Sequence, residues 1–409
     1  MTNLGNAKAI MQYAFKESLP DQAVAKALGK KKFPKGKIVL VAIGKAGWQM
    51  ANKATKVLGK KLTKGVVITK YGHSKGALPK TEIYEGGHPV PDENSFKATA
   101  RAIELVSGLK KEDTVVFLVS GGGSALFEKP LVSGKELEKL TKQFLAKGMD
   151  IVEINTLRKR LSGVKGGKFA ELCKPAQVYT VVLSDVIGSP LDMIASGPSY
   201  PDSSTTKDAM AIVKKYNLKL SSRALALLAK ETPKTLTNVT TVVTGSVQML
   251  CKAAEHKAKE LGYKTIFLTS SLDCEAREAG RFLAAIAREH ANSKKPLAFI
   301  GGGETVVHLT GKGKGGRNQE IALAAAAGIA GLKDVIILSA GSDGTDGPTD
   351  AAGGWADGNT AGKLLKKNIS IDAELKENAS YQALKKAGCL IITGPTGTNV
   401  NDLALVLIK

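Results

Sequence analysis

Four glycine-interrupted segments of the 409-residue chain carry residue types suited to gripping an anion and moving a proton beside it. In Ser120-Gly121-Gly122-Gly123-Ser124-Ala125-Leu126-Phe127, three glycines permit positive φ and let backbone N–H groups turn inward, and Ser124 is placed to cap the following turn. Such a loop could cradle a phosphate through amides and two hydroxyls, whereas a plain strand-to-helix turn needs one glycine. In Gly44-Lys45-Ala46-Gly47, Lys45 could extend to neutralise a transferring phosphoryl group or a carboxylate, although a solvated surface lysine would read the same way. The segment Gly311-Lys312-Gly313-Lys314-Gly315-Gly316-Arg317-Asn318-Gln319-Glu320 contains G-x-G-x-x-G, but the acidic residue a dinucleotide site needs at the end of the next strand is missing. Its pattern predicts a flexible basic hairpin leading into a helix whose first residues, Arg317 and Asn318, face a cleft. In Ser342-Asp343-Gly344-Thr345-Asp346-Gly347-Pro348-Thr349-Asp350, carboxylates spaced by glycines suit a Mg²⁺ shared with substrate phosphates, or a general base for a hydroxyl. An acidic Asx-turn loop is the plainer alternative.

Single polar residues beyond other strand ends are weaker candidates: Glu304, Asp185 and Asn399 could line a cleft, or cap a helix or fix a turn. His88 has no second histidine or cysteine nearby, which disfavours a metal role. Arg158-Lys159-Arg160 with Lys165 and Lys168 reads as a solvated basic face, with an anion-pocket role for Arg158 left open.

The elements that must hold these loops recur along the chain. Short apolar, β-branched runs at 38–43, 115–119, 178–183, 240–244, 297–300, 335–338 and 390–393 each end abruptly in Gly, Ser or a similar turn residue, and helix-like stretches separate them. Strands buried on both faces and alternating with helices predict parallel or mixed sheets in an α/β architecture, with ligands collecting beyond the carboxyl ends of strands. A Thr- and Pro-containing break near 231–239 predicts two domains, 1–235 and 236–409. The start of the chain, with Ile10, Met11, Tyr13 and Phe15 among charged residues, reads as an amphipathic helix and not as an export signal.

Composition narrows the function classes. Lys and Arg total 59 against 37 Asp and Glu, a net charge of +22 that favours anionic partners of any kind. No apolar run approaches the ~20 residues of a membrane span. The four cysteines have no C-x-x-C pairing, which predicts a reducing cytoplasm and buried thiols. Aromatics are only 5% and the lysines are scattered, which argues against a specific nucleic-acid-binding protein.

Taken together and in order, these segments resemble the glycerate 2-kinase family, whose carboxyl-terminal half is a MOFRL-type domain. The resemblance is carried by Ile43 to Gly47, Gly86-Gly87-His88-Pro89-Val90-Pro91-Asp92, Leu118 to Leu126, Ile154 to Lys159, Leu183-Ser184-Asp185-Val186, Ser196-Gly197-Pro198, Gly301 to Thr305, Gly315 to Glu320, Ser342 to Gly353 and Gly394 to Asp402. It implies a Rossmann-like N-terminal domain, a smaller α/β MOFRL-type C-terminal domain and a cleft between them. It further implies ATP-dependent phosphorylation of the C2 hydroxyl of D-glycerate with a divalent metal, and catalytic roles for Lys45, Arg317 and Asp343. Joined to the loop reading, the expected nucleotide contacts are Ser120, Gly121, Gly122, Gly123, Ser124, Asp185, Glu304 and Asn399, with Mg²⁺ at Asp343 and Asp346. Homo-oligomer formation stays open. Two other readings are an NAD(P)H-dependent hydroxypyruvate reductase, which the missing fingerprint opposes, and a basic nucleic-acid-binding protein.

Overall fold

The computed structural model describes residues 2–29, 31–183 and 191–409. It resolves into two compact units, divided at Thr244–Gly245.

The first unit is built on six strands: β1 (Ile38–Ile43), β2 (Leu62–Lys70), β3 (Thr81–Gly86), β4 (Thr114–Val119), β5 (Gln177–Leu183) and β6 (Val239–Gly245). Their order is β3-β2-β1-β4-β5-β6, and the pairs from β3 through β5 are parallel. This is a doubly wound sheet in which strands are added outward on one side from β1 to β3 and on the other from β4, so the strand order switches between β1 and β4, where such sheets bind ligands. Both strands are buried along their whole length, as continuous Val/Ile/Leu runs require. Helices between β4 and β5, joined by the later helix Ser222–Leu228, pack Leu137, Leu140, Phe144, Leu157, Leu161 and Leu228 into their own apolar cluster.

Those helices overturn the expectation of a solvated face at 158–168. Lys159 and Arg160 are each 1% exposed. Lys159 Nζ bonds Asp202 Oδ1 at 3.0 Å and Asp192 Oδ2 at 3.1 Å, and Arg160 donates to Thr156 O and to both the hydroxyl and the carbonyl of Ser204. Buried charges need such partners because desolvation otherwise outweighs any local gain.

The second unit carries a mixed sheet of β7 (Lys264–Leu272), β8 (Leu297–Gly303), β9 (Val335–Gly341), β10 (Gly353–Asp357), β11 (Leu390–Ile391) and β12 (Asp402–Ile408), in the order β11-β10-β9-β12-β8-β7. Only β7 and β8 pair in parallel. The amphipathic helix expected at the start of the chain is present at Asn3–Glu17, but it belongs here, not with the first sheet. Its Asn3 Nδ2 donates to Asp334 O at 2.7 Å, and Asn6 Nδ2 donates to Tyr263 Oη at 2.9 Å. The compact units divide close to the expected 235/236 boundary, and tertiary packing, not sequence order, places that helix with the second. Cys173, Cys251 and Cys389 are buried as expected, whereas Cys274 is exposed. No helix among the described residues is long and apolar enough to cross a membrane.

Candidate active site

In the first unit, β1 and β4 end side by side, with Ile43 opposite Val119. Gly44 follows at φ +106°, and a Cβ there would lie 2.3 Å from Ser120 Oγ, so only glycine fits. The two loops are laced together: Lys45 N–H donates to Gly121 O at 2.8 Å, Ala46 N–H to Ser120 Oγ at 3.1 Å, and Ser120 Oγ to Ile43 O at 3.0 Å. Ser120 is buried and its hydroxyl is committed to these partners. It builds the loop, which corrects the expectation that it presents a hydroxyl to phosphate.

Gly122 has φ +82°, and a Cβ there would lie 3.0 Å from the His88 ring and 3.2 Å from Lys45 Cγ. The missing side chain thus makes room for both. Lys45 itself is exposed. Burial, with the charge of Lys45 next, holds the His88 imidazole below its ordinary value, so it is neutral at pH 7. Ser124 Oγ lies 3.0 Å from Ser196 Oγ, which donates its one proton to Asn155 Oδ1 at 2.9 Å. Ser124 must therefore donate toward Ser196, leaving lone pairs as what it offers elsewhere. Arg158 Nη2 fixes the Ser124 carbonyl at 3.2 Å, backed by buried Glu128, which also pairs with Lys165 at 2.9 Å. Burial pushes the Lys165 ammonium down to about 8.

In the second unit, Glu304, Arg317, Asp343 and Asp346 come together around a cavity of about 890 Å³. Arg317 opens the helix Arg317–Gly328. Its Nε and Nη2 bind both oxygens of Asp402 at 2.6 and 3.1 Å, while Nη1 meets Glu304 Oε1 at 2.9 Å. This is the two-pronged geometry a planar guanidinium provides. Burial opposes the Arg317 charge, but the Asp402 bonds outweigh it and hold the guanidinium protonated. Burial pushes the Asp402 carboxyl up to about 6 against the pull of Arg317, so it is still mostly ionised at neutral pH.

Asp346 does a different job from the one its spacing suggested. One oxygen accepts from the Asn318 N–H and amide at 3.1 and 3.3 Å, and the other accepts from the Gln319 N–H and amide, both at 2.9 Å. Both oxygens are occupied in satisfying the first turn of the helix, so the metal role expected for Asp346 is corrected. Asn318, expected to face a cleft, is fully buried and accepts from Ser339 Oγ at 2.6 Å. Asp343 keeps more freedom: one oxygen accepts from Thr345 N–H at 2.9 Å, and no side-chain or backbone donor among the described residues holds the other.

The expected flexible basic hairpin is corrected: residues 311–316 contain no strand, and the loop is held by side-chain bonds at its start. Asn378 Oδ1 accepts from Thr310 and Gly311 N–H at 2.7 and 2.9 Å, and its Nδ2 donates to His308 O. Cβ atoms at Gly311 and Gly313 would fall within 2.4 Å of the Glu377 backbone, so these glycines serve close approach. Lys312 and Lys314 remain exposed. Asn399 is exposed and does not line the cavity. Asp185 lies outside the described residues. Sequence reasoning missed Asp402, whose signal was a carboxylate heading an otherwise wholly apolar strand.

Among the described residues no three or more His, Cys, Asp or Glu side chains cluster as a metal cage. One free carboxylate oxygen, on Asp343, fits a Mg²⁺ that takes most of its ligands from phosphates and water.

A family model described as a domain of unknown function, DUF4147, matches residues 6–229, and the MOFRL family model matches residues 297–402. The chain is 55% identical over 405 residues to a D-glycerate 2-kinase of Thermotoga maritima, covering 98% of this chain and 97% of that protein. It is 42% identical to a glycerate 2-kinase of Pyrococcus horikoshii, covering 91% of this chain and 88% of that one. A protein of Agrobacterium vitis named as a putative hydroxypyruvate reductase is 37% identical, covering 92% and 88%. A crystal structure of a Thermotoga maritima glycerate kinase superposes with a TM-score of 0.95 at 54% identity, covering 99% of each chain.

Proposed function

The chain belongs to the glycerate kinase family that joins a DUF4147 domain to a MOFRL domain, and we propose that it transfers the γ-phosphoryl group of ATP to the C2 hydroxyl of D-glycerate, giving 2-phosphoglycerate and ADP. The observation that carries this reading is Arg317, held on two sides by Asp402 and Glu304 in a cavity wall shared with Asp343.

Phosphoryl transfer asks a protein for alignment and charge neutralisation more than for covalent chemistry. Arg317 is positioned before any substrate arrives, so its charge can act on transferring oxygens without reorganisation. Lys45, exposed beyond β1 beside Gly122, supplies a second, mobile positive charge for phosphate or for the glycerate carboxylate. The Gly121–Ser124 segment presents backbone and the Ser124 oxygen, with Ser120 fixing the loop from behind. Asp343 is the residue that would hold Mg²⁺, which when bound would offset phosphate charge.

The test is an assay with D-glycerate, ATP and Mg²⁺, coupled through enolase and pyruvate kinase without phosphoglycerate mutase. Pyruvate formation is expected. ADP without pyruvate would mean another acceptor position or acceptor, and no ADP would overturn the kinase reading.

A further inference from the structure

The cavity in the second unit is too large and too apolar on one part of its lining for a three-carbon hydroxy acid alone. Its volume, about 890 Å³, falls toward the upper part of the range of roughly 300–1,000 Å³ usual for small-molecule sites. Arg317 and Asp343 contribute charge, whereas Val306, Val307, Leu309 and Pro348 contribute an apolar surface. Two of these side chains stand in water: Leu309 is 82% exposed and Val306 47%.

D-glycerate would match little of this. It carries a carboxylate and two hydroxyls on three carbons, with no apolar face to cover Val306, Val307 and Leu309. A purine nucleoside has flat apolar faces and a polar edge, and base faces gain from contact with such side chains whatever their hydrogen-bonding pattern. We propose that this cavity receives the nucleoside of ATP, its base against Val306, Val307, Leu309 and Pro348. The Gly311–Gly316 segment, bonded by Asn378 and abutting Glu377, forms another part of the wall. The helix N-terminus cannot take a phosphate there, because Asp346 already occupies its N–H groups. Phosphate recognition is thus left to cationic side chains.

This inference rests on the kinase reading, and its test separates the two. Leu309→Asn and Leu309→Phe are made in the full-length chain; Leu309 is exposed, so both should keep the wild-type melting temperature. Binding of a fluorescent ADP analogue is titrated without acceptor, and KM is measured for ATP and for D-glycerate. The expected result is about tenfold weaker ADP binding and a matching rise in ATP KM for Leu309→Asn, with D-glycerate KM within twofold of wild type and Leu309→Phe binding ADP at least as tightly. Unaltered ADP affinity in Leu309→Asn, or a rise confined to the D-glycerate KM, would overturn the assignment while leaving the kinase reading intact. Wild-type protein that binds ADP but does not phosphorylate D-glycerate would sink the acceptor reading, and weaker ADP binding by Leu309→Asn would still support the cavity assignment.

Discussion

Two Gly-Gly-Gly runs, at 121–123 and 301–303, each accompany an apolar strand, and they do opposite work. The first lies beyond β4, and the side chain missing at Gly122 makes room for Lys45 and His88. The second lies inside β8, which the sequence pattern had ended at Ile300. A Cβ at Gly302 would fall 2.6 Å from Val247 and 2.7 Å from Cys251, so this glycine lets the helix Val247–Glu260 close on the sheet. Gly303 then pairs with Asp402, the carboxylate that holds Arg317. One run clears space for Lys45 and His88, while the other sets the framework that holds Arg317 from behind.

The largest expected effect falls where that framework meets the substrate. Arg317→Lys should lower kcat by roughly 10²-fold or more and also lower the melting temperature, since an ammonium cannot make the paired bonds to buried Asp402 and still reach Glu304. Near-wild-type turnover would remove Arg317 from the mechanism. Next comes Asp402. With its carboxyl at about 6, the wild type should lose activity as pH falls through that value, because the protonated form no longer anchors Arg317 ionically. Asp402→Asn should lower kcat about tenfold and abolish that acid limb; a limb that persists would assign it to another group.

The two glycine runs can then be set directly against each other. Gly122→Ala should lower activity roughly tenfold by displacing Lys45 and His88, at a stability cost of about 1 kcal/mol for an alanine at positive φ. Gly302→Ala should show the reverse, losing about 1–3 kcal/mol in urea unfolding from overpacking while folded molecules keep most of their turnover. If the two variants exchanged these signatures, the comparison would fail. The smallest effect is a titration: Lys45→Ala should raise the His88 pKa toward its ordinary value, read from the ring-proton NMR signal, because the lysine charge opposes imidazolium formation. A fall would place the lysine charge elsewhere.

Loops at strand ends were legible in the sequence because local chemistry marks them. Glycine, hydroxyl and charge after a β-branched run is a local pattern, and Lys45 with Gly121–Ser124 and Arg317 with Asp343 were found that way. What the pattern could not reveal was the partner of each group. Asp346 bonds Asn318 and Gln319, 28 and 27 residues earlier, and Arg317 bonds Asp402, 85 residues later. The loop at 311–316 looked flexible because glycine is permissive by itself, and only the packing of Glu377 and Asn378 shows how it is held. The helix Asn3–Glu17 was legible as an amphipathic helix, but its apolar side fits any sheet, and the polar bonds to Tyr263 and Asp334 select the second one.

The account stands most directly on where the phosphoryl group lands. Proton-coupled phosphorus NMR of the product formed from ATP and D-glycerate reads this without coupling enzymes. A doublet is predicted, from phosphorus split by the single C2 proton of 2-phosphoglycerate. A triplet, from the two C3 protons of the 3-phospho isomer, would contradict it.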